Sequence, residues 1–178
     1  IAAAAAELGA ETVLIYGPTA LEPPPGVTFI PVDSTTDLHE AVREQFSQAD
    51  ALVMSAAPSD YRPAQTADTK LKRSGSLTLQ LEPTVDILKD LAPTKREGQV
   101  VVGFALETGN GIENAKKKLA EKHLDLIVLN VPGADSGFIT DTNRVTVLRP
   151  GKEPDEWPLL AKEEVGRRLM VLVAELLA

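Results

Sequence analysis

The sequence of 178 residues contains no cysteine, and this absence excludes several classes of protein. Disulfide-stapled domains, zinc ribbons and enzymes with a thiol nucleophile all require cysteine. The two histidines are too few to build a metal centre by themselves. A reducing, cytoplasmic setting fits a chain of this composition.

Aromatic residues and long apolar runs are also scarce. Aromatic side chains make up 4% of the sequence, so no interface patch stands out. The longest apolar runs, residues 1–6 and 170–174, are far shorter than the roughly 20 residues that span a bilayer. No charged leader precedes an apolar core as in a secretion signal. We therefore expect neither a membrane protein nor an exported one.

Positive charge is scarce overall but is concentrated in one segment. The formal net charge of −8 disfavours a nucleic-acid binder, because such domains usually carry a basic excess. Residues 70–122 nevertheless hold ten basic side chains against seven acidic ones, whereas residues 1–69 hold two against ten. This local excess suits a compact anion such as a nucleotide phosphate, and solvated helix faces would explain it equally well.

Apolar, β-branched runs alternate with helical patterns along the chain. We predict strands at residues 12–16, 28–32, 51–55, 77–81, 100–105 and 124–129, and a final hairpin or edge strand within residues 139–148. We predict helices at residues 1–8, 37–49, 85–91, 112–123 and 162–177. The alternation predicts one α/β domain over residues 1–178, with a Rossmann-like, open, mostly parallel sheet and helices on both faces. A flexible flap or hairpin extension is expected over about residues 62–76.

Ligands of such sheets bind beyond the carboxyl ends of the strands. The segment at residues 55–63 follows a predicted strand and combines small residues with the Asp60 carboxylate and the Arg62 guanidinium. It suits a ligand that meets the main chain, although an ordinary turn capped by Asp60 is at least as good an explanation. Further candidate strand ends lie at residues 17–18, 104–108 and 130–131.

Two groups of basic residues are candidates for binding phosphate. Lys70, Lys72 and Arg73 lie in the polar segment that would form the flap, where they could close over a polyphosphate. Lys118 and Lys122 are four residues apart and therefore share one helix face. Like charges at this spacing mildly destabilise a helix, so the pair indicates a counter-anion, which nearby glutamates could also supply.

An ordered set of short motifs resembles the family of phosphopantothenoylcysteine synthetase. In chain order the motifs are A-A-x-x-D-Y-R-P at 56–63, K-x-K at 70–72, T-x-D-I-L at 84–88, V-V-G-F-A-x-E-T at 101–108, K-L-x-x-K at 118–122, D-L-I-V-x-N at 125–130 and G-F-x-x-D-x-N at 137–143. Each motif is weak alone, but the ordered set covers nearly the whole chain. Members of that family carry a strand and a glycine-rich loop before the first helix, and this sequence lacks both.

The resemblance implies a CTP-dependent ligase of coenzyme A biosynthesis. Such an enzyme joins 4′-phosphopantothenate to L-cysteine through an acyl-cytidylate, with Mg²⁺ present. The resemblance further implies a cytoplasmic homodimer, fused in many bacteria to the matching decarboxylase domain, with neither a nucleic acid nor a membrane as partner. The ligands of the metal ion stay unassigned.

The resemblance also implies residues for the site. Lys70 is expected to be catalytic, as the flap lysine that reaches the triphosphate. The CTP site is expected to comprise Met54, Ser55, Ala56, Asp60, Lys70, Thr84, Val85, Asp86, Ile87, Phe104, Lys118 and Lys122. The substrate pocket is expected to include Ala57 and Asn130.

Two alternatives from other function classes stay open. A non-catalytic nucleotide-binding or regulatory module would have the same fold without turnover. A short-chain NAD(P)-dependent oxidoreductase would need a tyrosine and a lysine four apart on a helix, whereas Tyr61 is followed by Arg62 and Pro63.

Overall fold

The computed structural model describes residues 1–73, 75–107, 109–130 and 140–178. Its helices within these ranges are α1 (Ala2–Glu7), α2 (Thr35–Phe46), α3 (Ile87–Leu91), α4 (Gly111–Glu121) and α5 (Lys162–Leu177). Its strands there are β1 (Val13–Tyr16), β2 (Thr28–Pro31), β3 (Ala51–Met54), β4 (Tyr61–Pro63), β5 (Leu81–Pro83), β6 (Val100–Leu106), β7 (Leu126–Asn130), β8 (Thr142–Asn143), β9 (Val145–Leu148), β10 (Asp155–Glu156) and β11 (Leu160–Ala161).

The main sheet has the strand order β10-β9-β7-β6-β3. β3, β6 and β7 run parallel to one another, whereas β9 and β10 are antiparallel to their neighbours. β1 and β2 form a separate parallel pair. The prediction of an open, mostly parallel α/β sheet with a hairpin extension is thereby confirmed.

Two hydrophobic cores cover the two faces of this sheet. Along β7, Ile127 and Leu129 join the core beneath α2, α3 and α4, while Leu126 and Val128 join the core beneath α1 and α5. Successive side chains of a strand point to opposite faces, so β7 is apolar at each of these positions because both its faces are buried. Helices therefore pack on both faces, as the sequence predicted.

The hairpin extension consists of the antiparallel strands β4 and β5. The sequence predicted a strand at residues 77–81 and none at 61–63, and both predictions were wrong. The ladder pairs Tyr61 with Pro83 and Pro63 with Leu81, and one further bond runs from the Ala64 amide to the Gln80 carbonyl. The paired strand thus begins only at Leu81, although the alternating pattern starts earlier.

The start of α2 lies two residues before the predicted one. The Ser34 hydroxyl accepts a hydrogen bond from the Asp37 amide at 3.1 Å, and the Asp37 carboxylate accepts one from the Ser34 amide at 2.9 Å. This reciprocal capping box begins the helix at Thr35, whereas the apolar periodicity begins only at Leu38.

Several predicted features fall wholly or partly outside the described residues. These are Ser74 of the flap, Thr108 and Val131 at two strand ends, and residues 137–139 of the last motif and hairpin. Among the residues that are described, no helix is both long and apolar enough to cross a membrane.

Gln99 is a buried polar side chain that ties the end of α2 to the start of β6. It is 4% exposed, and its amide donates to the carbonyls of Phe46 at 2.7 Å and Ala49 at 2.8 Å. We expect Gln99→Ala to lower the free energy of unfolding by about 1–3 kcal/mol, because the buried Phe46 carbonyl loses this donor. The Ala49 carbonyl loses one donor and still accepts from Arg96 Nη2 at 2.8 Å. Urea denaturation measures the change. The exposed Gln48→Ala is the control, and an equal loss in both variants would contradict this role.

The Asp37 carboxylate makes the stability of the protein depend on pH. Hydrogen bonds from Ser34 hold the pKa of Asp37 below its ordinary value of 3.8. A lowered pKa contributes stability that is present above the ordinary value and is lost as the pH falls through the lowered one. We therefore expect Asp37→Asn to lower the free energy of unfolding at pH 7 and to match the parent protein near the acid limit of folding.

Urea titrations at a series of pH values test this expectation. Glu40→Gln removes one exposed carboxylate from the same helix and should change the unfolding free energy less. If Asp37→Asn lowers the free energy of unfolding by the same amount at every pH, the charge of the Asp37 carboxylate does not cause the pH dependence.

Candidate functional site

The carboxyl ends of β3, β6 and β7 meet at one edge of the sheet, because these strands are parallel. Met54, Leu106 and Asn130 are their last residues. Met54 is buried, whereas Ser55 and Ala56 directly after it are exposed. This edge is the candidate site, because ligands of such sheets bind where parallel strands end.

Asp60 and Thr84 meet at the base of the hairpin. The Thr84 amide donates to the Asp60 carbonyl at 2.9 Å, and the Thr84 hydroxyl donates to the Ser59 carbonyl. The Asp60 carboxylate is exposed. The structure thus brings together two residues that the motifs assigned to one site, and Ala57 lies exposed three residues before Asp60.

Lys70 lies between β4 and β5 and is exposed. Within the described parts of the chain its ammonium group has no hydrogen-bond or ion-pair partner. The structure therefore does not bring Lys70 into contact with the other predicted residues.

Lys118 lies in α4 and Lys122 is the residue that caps its C-terminal end, so the predicted pair lies at the end of the helix. Each lysine is paired with a different carboxylate. Lys118 Nζ is 2.6 Å from Glu107 Oε1, and Lys122 Nζ is 3.0 Å from Asp86 Oδ2. The counter-anion that the sequence indicated is thus supplied within the chain. Glu121 pairs instead with Lys117, at 3.8 Å.

Glu107 directly follows β6 at the candidate edge. Its second carboxylate oxygen accepts from Asn114 Nδ2 at 3.0 Å, and its amide donates to the Asn130 carbonyl at 3.2 Å. Hydrogen bonds from Lys118 and then Asn114 hold the pKa of Glu107 below its ordinary value. The sequence analysis included Glu107 in a motif and in a candidate strand end but gave it no role in the site, although a carboxylate directly after an apolar run was a usable signal.

Asp86 has two functions at the start of α3. Its Oδ1 accepts from the Lys89 amide at 3.3 Å as the N-cap of the helix, while Oδ2 pairs with Lys122. Its neighbours differ in exposure: Val85 is exposed and Ile87 is buried in the core. The Ile87 side chain therefore packs within the protein and can offer a ligand only its main chain.

Phe104 lies on a different side of the sheet from the two lysines. Its side chain packs against the core beneath α1 and α5, whereas α4 covers the opposite face. The structure thus separates the Phe104 ring from Lys118 and Lys122.

Asn130 and Asn143 each have a buried side-chain oxygen that has no hydrogen-bond partner among the described residues. Asn130 ends β7 at the candidate edge, and its place in a substrate pocket stays a prediction. Over the described ranges, no group of three or more His, Asp or Glu side chains could hold a metal ion.

A family model described as "DNA/pantothenate metabolism flavoprotein C-terminal domain" matches residues 1–177. The chain is 42% identical over 179 residues to the coenzyme A biosynthesis bifunctional protein CoaBC of Bacillus subtilis, covering 99% of this chain and 44% of that protein. It is 41% identical to a protein named cysteine/cysteine sulfinic acid decarboxylase from an unknown prokaryotic organism, covering 97% of this chain and 50% of that protein. The chain thus spans about half the length of these relatives.

Solved structures agree with this family match. The crystal structure of the C-terminal domain of a CoaBC protein superimposes with a TM-score of 0.83 at 41% identity, over 99% of this chain and 79% of that one. A Cab2 mutant in complex with phosphopantothenate-cysteine superimposes with a TM-score of 0.59 at 15% identity, over 84% of this chain and 56% of that one. The second likeness concerns the fold alone.

These descriptions contradict the identification made from the motifs. They name a flavoprotein domain, a bifunctional protein and a decarboxylase, and none of them names a synthetase, CTP or Mg²⁺. The predictions of a CTP-dependent ligase, and of CTP and Mg²⁺ bound to it, are therefore corrected and not carried further, and the oxidoreductase alternative has no support. Coenzyme A biosynthesis is the part of the prediction that agrees with the names. The chain belongs to the family of DNA/pantothenate metabolism flavoprotein C-terminal domains.

Proposed function

We propose that this chain is one domain of a cytoplasmic, bifunctional protein of coenzyme A biosynthesis and that it binds a phosphorylated intermediate of that pathway. The name of the CoaBC relative supports the pathway. The chain spans about half of the length of both relatives. The rest of such a protein would supply a second domain fused to this one.

The observation that carries the proposal is the pair of lysines at the C-terminal end of α4, of which Lys118 reaches Glu107 at the carboxyl edge. Lys118 in α4 and its C-cap residue Lys122 present two ammonium groups, and lysine binds phosphate as a compact point charge. Phosphopantothenate-cysteine, which the Cab2 mutant holds, carries a phosphate and is the ligand that we propose.

The decarboxylase name belongs to a whole protein of which this chain covers half. The name therefore does not assign decarboxylation to this half, and mass spectrometry of the ligand after binding tests for it.

The flavin that the family description suggests does not fit the cavities found among the described residues. A flavin nucleotide needs an apolar or aromatic wall for its ring and cations or free amides for its phosphate. A cavity of about 510 Å³ beside α1 is lined by small residues together with Glu7 and Glu11, whose charge repels phosphate. A cavity of about 380 Å³ beside Trp157 contains two arginines, both paired with Glu164. We derive no step through a flavin from these residues.

Isothermal titration with phosphopantothenate-cysteine and with its dephosphorylated form tests the proposal. We expect the phosphorylated ligand to bind more tightly. Lys118→Ala should weaken its binding by about tenfold to a hundredfold, because a hydrogen bond to a charged group contributes about 1.5–3 kcal/mol. The dephosphorylated ligand should bind equally to both proteins.

Lys117→Ala is the matched control, since this lysine lies on the same helix and is 74% exposed. Equal affinity for the two ligands, or an equal loss in both lysine variants, would contradict the proposed site. Mass spectrometry of the recovered ligand then reports its fate. Recovery of intact ligand would limit this half to binding, whereas loss of carbon dioxide would assign the decarboxylation to it.

We also propose that the protein forms a homodimer through the β4–β5 hairpin. One face of the hairpin turns toward the body of the protein: Arg62 pairs with Glu82 across the strands at 2.8 Å and donates to the Thr36 hydroxyl of α2 at 3.3 Å. Alternate residues of a strand lie on opposite faces, so their neighbours form the outer face.

The outer face of the hairpin is apolar and exposed. Tyr61, Pro63 and Leu81 share it, because the register pairs Pro63 with Leu81. Leu77 and Leu79, in the segment that leads into β5, are also more than half exposed. Apolar patches of this kind are typical of surfaces that another chain covers, and a second copy brings an identical apolar face.

The double variant Leu79→Gln with Leu81→Gln should convert the dimer to a monomer, because it places polar groups in the apolar face. Sedimentation velocity at several concentrations measures the mass. Leu21→Gln is the control, since Leu21 is 80% exposed outside the hairpin. A monomeric parent protein, or a double variant that stays dimeric, would refute the proposal.

A further inference from the structure

We infer that Glu107 and Asp86 compete with the phosphate of a ligand for Lys118 and Lys122. In the unliganded protein the two carboxylates pair with the lysines, and a bound phosphate displaces them. The inference rests on the proposed function, since it concerns the same two lysines. It adds that the unliganded site is autoinhibited by two carboxylates of the chain itself.

The contacts match one carboxylate to each lysine. Lys118 pairs with Glu107 at 2.6 Å and Lys122 pairs with Asp86 at 3.0 Å, so the four charges cancel. An incoming phosphate therefore meets two ammonium groups whose charge is already neutralised, and it competes with a carboxylate for each of them.

Both carboxylates have a second attachment that does not involve the lysines. Glu107 also accepts from Asn114, and Asp86 also caps α3 through the Lys89 amide. The lysine side chains are long and flexible by comparison. We therefore expect the lysines to turn toward a ligand while the carboxylates stay in place.

Neutral pH does not relieve this competition. The hydrogen bonds from Lys118 and Asn114 favour the charged form of Glu107 and keep its pKa below the ordinary carboxyl range. Glu107 therefore stays ionised between pH 6 and pH 8. Over this range a phosphate monoester, whose second pKa is about 6, loses its second proton. Affinity should consequently rise with pH as the ligand gains charge.

Two conservative variants remove the competing charge and keep the second attachment. Glu107→Gln retains a side-chain oxygen for Asn114, and Asp86→Asn retains an oxygen that can cap α3. We expect each variant to bind phosphopantothenate-cysteine and inorganic phosphate about threefold to fivefold more tightly, and the double variant about tenfold more tightly. Titration calorimetry measures the organic ligand, and NMR shifts of α4 amides measure the inorganic ion.

Glu121→Gln is the matched control. It removes the same charge from α4, but its carboxylate pairs with Lys117. Removal of any negative charge weakly favours anion binding, so the inference requires a gain in Glu107→Gln and Asp86→Asn that clearly exceeds the gain in Glu121→Gln. A purely structural role of either carboxylate predicts a loss of affinity instead.

The possible outcomes separate this inference from the proposed function. Binding by the parent protein without a further gain in Glu107→Gln or Asp86→Asn would overturn the inference and leave the proposed function standing. Absence of phosphate binding in the parent and in both variants, with thermal melts that show folded protein, would overturn both. Binding that appears only in the variants would support the competition directly.

Discussion

The parallel pairing of β6 with β7 is the constraint on which the rest of the structure depends. β7 is buried on both faces, so two separate helix layers must cover it. The pairing also fixes the direction of the strands, and with it the edge at which their carboxyl ends meet. Glu107 and Asn130 lie together at this edge because β6 and β7 end side by side, and α4 begins shortly afterwards.

Most of the fold could be predicted from the sequence, because the buried strands are continuous apolar runs and the amphipathic helices have a clear periodicity. The last helix was predicted with its observed bounds, Lys162–Leu177. The hairpin was misplaced for a physical reason: Tyr61–Pro63 is only three residues long and contains a proline, so it becomes a strand only through its partner Leu81–Pro83. A local pattern carries little information about such a contact between distant segments.

The candidate site was predicted only in part. Spacing alone placed Lys118 and Lys122 on one helix face, because that relation is local. Their partners Glu107 and Asp86 lie on other elements and depend on how α3 and α4 pack, so spacing could not identify them. The short motifs predicted a CTP-dependent ligase, whereas the comparisons name a flavoprotein domain and a decarboxylase. The contacts of Lys118 and Lys122 do not depend on either name.

The double attachment of Asp86 restricts which residues that position can accept over evolution. Capping α3 requires a short side chain with an accepting oxygen, which admits aspartate, asparagine, serine and threonine. Pairing with Lys122 requires a negative charge, which admits aspartate and glutamate. Only aspartate meets both requirements, so a protein under selection for both would keep this residue while the surrounding loop changes. Glu107 caps no helix, so its pairing with Lys118 requires only a negative charge at that position.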